Sequence, residues 1–301
     1  MAVAAPPAPV SDKPAGTLAP TLGLLLVTAV WGTTFALIKG VVGRMSVPDF
    51  LAVRFVIAAV VMVVMFARPV MRMDRGQLWR ALALGVLYGV AQLLQTWGLA
   101  RISPSVSGFA TGMYVVFTPL LGWVLLKERT PPATWIAVAV ATVGLGLLAL
   151  HGFELDFGVL LTLASAALYG LHILGLGRWS RRGEAFGMAA VQMVAIAVVC
   201  LLATLPNGPS MPPDTSAWVS VLYMALVAGA LAMLVQTWAQ AHMSSTRAAI
   251  VMTLEPVFAA GFAILLGVDT LGWRTVVGGG LMLGAMYIVE LGPKRNTHQV
   301  L

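Results

Sequence analysis

The chain has 301 residues, of which 59% are hydrophobic and 10% charged, with a formal net charge of +7. An ordinary soluble domain carries roughly 25% charged residues, so this composition excludes a water-soluble globule and calls for a lipid bilayer around most of the surface. The basic excess would suit nucleic acid, but the charges sit in short segments between long apolar runs, so no nucleic-acid partner is expected.

Residues 1–19 are rich in Ala and Pro and lack the basic start and apolar core of a signal peptide, so they read as a disordered cytoplasmic tail. Ten apolar runs follow, at 20–41, 47–66, 78–100, 103–126, 132–150, 157–178, 185–205, 217–240, 246–267 and 272–291. Each is long enough, or nearly so, to cross a hydrocarbon core about 30 Å thick at about 1.5 Å per residue. The apolar residues are continuous rather than alternating, which predicts transmembrane helices and not barrel strands. The longest connection, Asn207 to Ser216, is rich in Pro, Gly and Ser and has no room for a soluble domain. Residues 292–301 form a second short tail.

Ten spans with an inner N-terminus place thirteen Lys and Arg residues on the cytoplasmic side, among them Arg68, Arg72, Arg80, Arg129 and Arg181. Four, Lys39, Arg44, Arg101 and Arg274, fall on the outer side. This positive-inside asymmetry predicts both termini in the cytoplasm of a multi-pass protein of the cell's inner (plasma) membrane.

The runs repeat. Gln95-Thr96-Trp97, Ala100 and Ser103 recur 141 residues later as Gln236-Thr237-Trp238, Ala241 and Ser244, and Val116-Phe117 recurs as Val257-Phe258. An offset of 138 pairs Trp31-Gly32 with Tyr169-Gly170. The chain therefore reads as two tandem units, 20–150 and 157–291, of five helices each. Five is odd, so the second unit enters from the opposite side and the pair has inverted topology, an arrangement typical of secondary transporters.

Catalytic chemistry is missing. Cys200, the single cysteine, lies inside the seventh run and reads as a packing residue. There is no Walker loop, no H-E-x-x-H and no Cys/His cluster, so neither a cofactor, a metal nor an enzyme is expected. The glycine spacings Gly85/Gly89, Gly108/Gly112 and Gly280/Gly284 allow close helix approach and read as intramolecular contacts, with the oligomeric state left open.

Trp31, Gly32 and Phe35 in the first run, Pro48 and Arg54 in the second, Pro119 through Glu128-Arg129 in the fourth and Leu254-Glu255-Pro256-Val257 in the ninth make a composite pattern. In this order it resembles the drug/metabolite transporter superfamily, ten-helix EamA type, over residues 20 to about 291. The resemblance implies ten transmembrane helices around a central cavity, and movement of a small metabolite or drug, amino-acid-like or otherwise, by alternating access. Val268-Asp269-Thr270 departs from it where a second Glu-Arg pair is expected.

The intramembrane polar residues nominate a substrate site. Arg54 lies seven residues, about 10 Å, into its run, and Glu255 nine residues, about 13 Å, into its own; charges so deep are rare outside functional positions. Their counterparts by repeat offset, Gln192 and Tyr114, are uncharged. Glu255 is the candidate for proton coupling, the alternative being an uncoupled facilitator in which it only recognises substrate. Trp31 with Thr34, and Tyr169 with His172, form two aromatic-polar stripes at i, i+3 spacing, and Gln95 joins them as a candidate lining residue. Pro119 and Pro256 are expected to break their helices and free carbonyls beside the cavity. A membrane enzyme or non-transporting adaptor, the reading from another class, has no nucleophile, metal or acid-pair motif behind it.

Overall fold

The computed structural model describes residues 18–127, 132–151, 154–179, 184–242 and 251–291. Most of the two expected tails, the Glu128-Arg129 pair and the start of the ninth run lie outside the described residues. The described chain is helical, apart from an antiparallel pairing of Leu150–His151 with Glu154–Leu155. In order the helices are α1 (Leu18–Val42), α2 (Val47–Met71), α3 (Arg75–Arg101), α4 (Pro104–Gly112), α5 (Tyr114–Leu126) and α6 (Pro132–Ala149). The second half contains α7 (Phe157–Trp179), α8 (Ala185–Leu202), α9 (Thr215–Ala225), a π-helical turn (Leu226–Leu231), α10 (Ala232–His242), α11 (Glu255–Leu265) and α12 (Trp273–Leu291).

Among the described residues, seven segments are long and apolar enough to cross a membrane: Leu18–Val42, Val47–Met71, Arg75–Arg101, Pro104–Leu125, Phe157–Leu176, Ala185–Leu202 and Thr215–Gln236. Pro132–Leu147 and Glu255–Leu265 are apolar but shorter. The chain is thus a multi-pass membrane protein, with seven spans qualifying by length and apolarity where the runs in the sequence suggest ten.

Helix starts follow local rules. Ser46 caps α2 by accepting the Asp49 N–H, with Pro48 in the first turn where its missing donor is no loss. Asp74 and Gln77 close a reciprocal capping box on α3, and Ser103 before Pro104 caps α4.

Three of the long runs are jointed. The fourth breaks at Met113, between α4 and α5, and not at Pro119, which lies within α5. The break coincides with a tight crossing, because a Cβ on Gly112 would stand 2.7 Å from Pro256 Cγ. The eighth run widens into the π-helical turn. The ninth turns at Thr253–Leu254 and resumes as α11 at Glu255, with Pro256 in the first turn. In α2, Phe66 leaves helical geometry (φ −117°, ψ 26°) three residues before Pro69.

Most packing joins the two halves, and the pairs match on exchange of halves. α2 lies on α8, α6 on α12, and α4 on α11. The contact of α1 with α11 is answered by that of α7 with α4 and α5, that of α3 with α7 by α10 with α1, and that of α3 with α8 by α9 with α2. Gly85 and Gly89 admit α8 closely, and Gly108 and Gly112 admit α11, so these spacings are intramolecular contacts; Gly280 and Gly284 meet nothing within 4 Å. The buried faces form one core around Phe50, Phe55, Met62, Met193 and Cys200, and a second around Tyr114, Val116, Tyr169, Met282 and Met286. The opposite faces expose Val60, Val64, Met65 and Val198, which suits lipid contact and not water.

At one end of α2 the connection before α9 is tied down twice. Arg44 donates to Asp214 at 2.6 Å, and Ser210 donates to Asp49 Oδ2 at 2.6 Å. Lys39 of α1 donates to the carbonyls of Leu99, Ala100 and Ile102 at 2.9 to 3.0 Å, neutralising the C-terminus of α3.

Candidate functional site

The polar residues buried inside the membrane segments gather where the halves meet. Tyr114 opens α5 and Glu255 opens α11, each directly after its break. The Tyr114 hydroxyl donates to Glu255 Oε2 at 3.5 Å, across 141 residues of sequence. Both side chains therefore stand at N-termini of half-helices, where the helix dipole favours negative charge. Glu255 is 9% exposed and Tyr114 6%.

A second set of groups comes from α3, α7 and α8. Tyr169 donates to Gln95 Oε1 at 2.9 Å, and Gln95 Nε2 in turn donates to Thr111 Oγ1 at 3.0 Å, so one chain of bonds links α7, α3 and α4. His172 and Gln192 share a 2.7 Å bond, with Gln192 also donating to the Met188 carbonyl. Tyr88 lies edge-on to both Tyr169 and His172, with ring centroids 5.0 Å apart in each case. Tyr88 also interacts with Gln92, one turn further along α3.

Arg54 differs from the rest. It is 5% exposed, yet its Nε is enclosed without a hydrogen-bond partner, and its guanidinium carbon lies 4.9 Å from the Phe55 ring centroid. Arg54 and Glu255 both lie within electrostatic range of Tyr88 and Tyr169. The two charges nevertheless form no ion pair; the ion pair among the described residues is Arg44 with Asp214. An arginine at a helix centre costs about 2.5 to 3.5 kcal/mol on insertion scales, and an unpaired one keeps that cost.

The nominated aromatic stripes are anchored differently from each other. Tyr169 and His172 point into the bonded set just described. Trp31 donates its indole N–H to the Ala228 carbonyl at 2.9 Å, in the π-helical turn, while its ring packs against the core that holds Tyr114 and Tyr169. Such a turn leaves carbonyls out of the α-helical ladder, and Trp31 takes up one of them. Thr34 donates to the Trp31 carbonyl at 2.7 Å within its own helix and needs no other partner. Among the nominated residues, Gln95, Tyr114, Tyr169, His172, Gln192, Arg54 and Glu255 come together with Tyr88. Tyr88 is absent from the nominated set, although its position four residues before Gln92 and seven before Gln95 puts all three on one helix face. Pro119 lies one turn past Tyr114, and Thr118 beside it donates to the Tyr114 carbonyl at 2.7 Å.

The repeated glycines frame this cluster. A Cβ on Gly32 would collide with Phe258, coming 2.9 Å from its carbonyl carbon, and one on Gly170 would stand 3.4 Å from Phe117 Cβ. Gly32 and Gly170 match by sequence offset, as do Phe117 and Phe258, so equivalent residues make equivalent crossings in both halves.

The EamA-like transporter family model matches this chain twice, over residues 19–150 and 156–291. An uncharacterized transporter of Archaeoglobus fulgidus is 29% identical over 271 residues, covering 90% of this chain and 85% of that protein. A protein of known crystal structure superposes with a TM-score of 0.64 at 21% identity, covering 90% of this chain and 96% of that one, which is a likeness of fold.

Proposed function

The chain belongs to the EamA-like transporter family, and on that premise we propose that it is a secondary transporter that exports a small organic metabolite across the inner membrane by alternating access. Ten spans form two inverted five-helix repeats, 20–150 and 157–291, with both termini cytoplasmic. The observation that carries this reading is the meeting of Tyr114 with Glu255: equivalent positions of the two halves touch at the break points of their fourth spans. Residues related by a two-fold axis touch only where they lie beside that axis. The exchange symmetry of the helix pairs supports the same axis, and discontinuous helices near the midplane are where secondary transporters place substrate and coupling ions.

In this mechanism the two halves rock against each other around Tyr114 and Glu255. Substrate is held among Arg54, Tyr88, Gln95, Tyr169, His172 and Gln192, with Trp31 and Thr34 along the wall. Glu255 takes a proton when the cavity faces outward and releases it when the cavity faces inward, so proton entry drives substrate out. No bond in the metabolite is made or broken, which is the sense in which the protein is not an enzyme.

Counterflow tests this with the whole metabolite pool of a cell as the set of candidate substrates. Vesicles with the purified protein, loaded with unlabelled cell extract, are placed in the same extract uniformly labelled with heavy carbon. Protein-dependent entry of one or a few labelled metabolites is expected; if none enters faster than into empty vesicles, the transporter reading falls.

A further inference from the structure

We propose that Arg54 is an anion-binding residue of this site and that the transported metabolite carries a single carboxylate. The inference rests on the transport reading above and names the chemistry of its cargo. Arg54 brings five N–H donors in a planar fork, yet among the described residues it makes neither a hydrogen bond nor an ion pair. Its nearest recorded partner is the Phe55 ring, which covers one face and offers no acceptor in the plane. A guanidinium left 5% exposed with its Nε unpartnered is incomplete, because neither water in bulk nor a protein acceptor satisfies it.

Glu255 accepts from the Tyr114 hydroxyl and forms no ion pair with Arg54. Tyr169 donates its hydroxyl proton to Gln95, and His172 shares its bond with Gln192, so neither is bonded to Arg54. No acceptor among the described residues completes Arg54, which leaves that place to a bound anion. The planar fork matches a carboxylate or a phosphate by two parallel bonds. Two facts favour the carboxylate. One arginine balances one negative charge, and the cluster already contains the acidic Glu255, bonded to Tyr114, so a dianion would bring negative charge in excess. The rings of Tyr88 and Tyr169, packed edge-on against each other, offer an apolar wall for the rest of an organic acid.

The test measures binding alone, on the full-length protein in detergent, by the shift of its thermal unfolding midpoint. The probes are acids paired with their own primary amides: acetate and acetamide, lactate and lactamide, phenylacetate and phenylacetamide, alanine and alaninamide. Phenyl phosphate is added as the competing anion. At least one acid is expected to stabilise the wild type, with its amide weaker by about tenfold or more in concentration. Arg54→Gln is expected to erase that difference, and Arg54→Lys to retain part of it. The proposal is overturned if no acid stabilises, if amides match their acids, if phenyl phosphate alone acts, or if Arg54→Gln leaves the preference intact. Should the Gln variant fail to fold, the acid-amide difference in the wild type still decides. Binding without counterflow would sink the transport reading and leave Arg54 standing as an anion-binding residue; counterflow only of metabolites that lack a carboxylate would do the reverse.

Discussion

The Tyr114 hydroxyl meets the Glu255 carboxylate at 3.5 Å, and each residue is the first of its helix after a break in its run. A hydroxyl and a carboxylate at equivalent places make an asymmetric pair out of two similar halves. The carboxyl group is by far the stronger acid of the two, with an unperturbed pKa of about 4.3 against about 10 for a phenol. The scaffold can therefore be symmetric while its acid-base chemistry is not.

Glu255→Gln has nearly the volume of the protonated acid and cannot lose a proton. In vesicles with an imposed pH gradient it should abolish accumulation of the metabolite found by counterflow while leaving exchange measurable. Tyr114→Phe should keep gradient-driven accumulation and slow it by a few-fold, as expected for loss of one neutral hydrogen bond worth about 1 kcal/mol. Accumulation by the Gln variant equal to that of the wild type would favour the uncoupled facilitator.

Crossing geometry predicts graded effects of adding one methyl group. Gly32→Ala forces a Cβ into the Phe258 backbone and should destabilise the protein by about 1 to 3 kcal/mol. Gly170→Ala meets Phe117 and Thr118 at 3.3 to 3.4 Å, where a small shift suffices, and should be milder. Gly40→Ala meets nothing within 4 Å and should be neutral. Unfolding midpoints in detergent check the order, and equal effects at all three positions would refute the crossing.

Topology is checked by single cysteines in a Cys200→Ala background. Asn207, exposed in the connection before α9, and Arg72, exposed after α2, lie at opposite ends of the spans. An impermeant thiol reagent applied to intact cells should label position 207 and spare 72. The reverse pattern would place the termini outside.

The tethered connection before α9 should loosen in acid. The Ala217 backbone N–H, helped by Arg44, holds the Asp214 carboxyl below the usual carboxylate range. A lowered folded value means the tether is at full strength above the unfolded carboxylate value of about 4, and is lost as pH falls through the lower folded one. Cleavage within residues 207–213 by an acid-tolerant protease should therefore rise below that range in the wild type. In Asp214→Ala, where only the Ser210–Asp49 bond remains, it should already be raised at neutral pH; a wild type protected equally at every pH would show that the Asp214 carboxylate does not hold the loop.

Much of this protein is legible along the chain. A bilayer demands long apolar helices, so composition and run length lead to a multi-pass helical membrane protein, and the 141-residue offset singles out Tyr114 and Glu255 as a pair before any contact is known. The local rules also reach far: Ser46, Asp74 and Ser103 stand where helix starts need them, and Pro256 marks the restart of α11. Pro119 misleads because a proline signal is local, whereas the fourth run bends at Met113, where Gly112 meets Pro256 of the other half. The π-helical turn is equally silent in sequence, since an inserted residue is kept by a distant partner, the Trp31 indole on Ala228. Tyr88 escapes notice because a tyrosine in an apolar run looks like core until Tyr169 and His172 arrive beside it from α7. That Arg54 and Glu255 share neighbours and yet stay unpaired is decided by the tertiary structure alone: periodicity assigns a side chain to a face of its own helix, but the distance between two charges depends on how the halves are packed together.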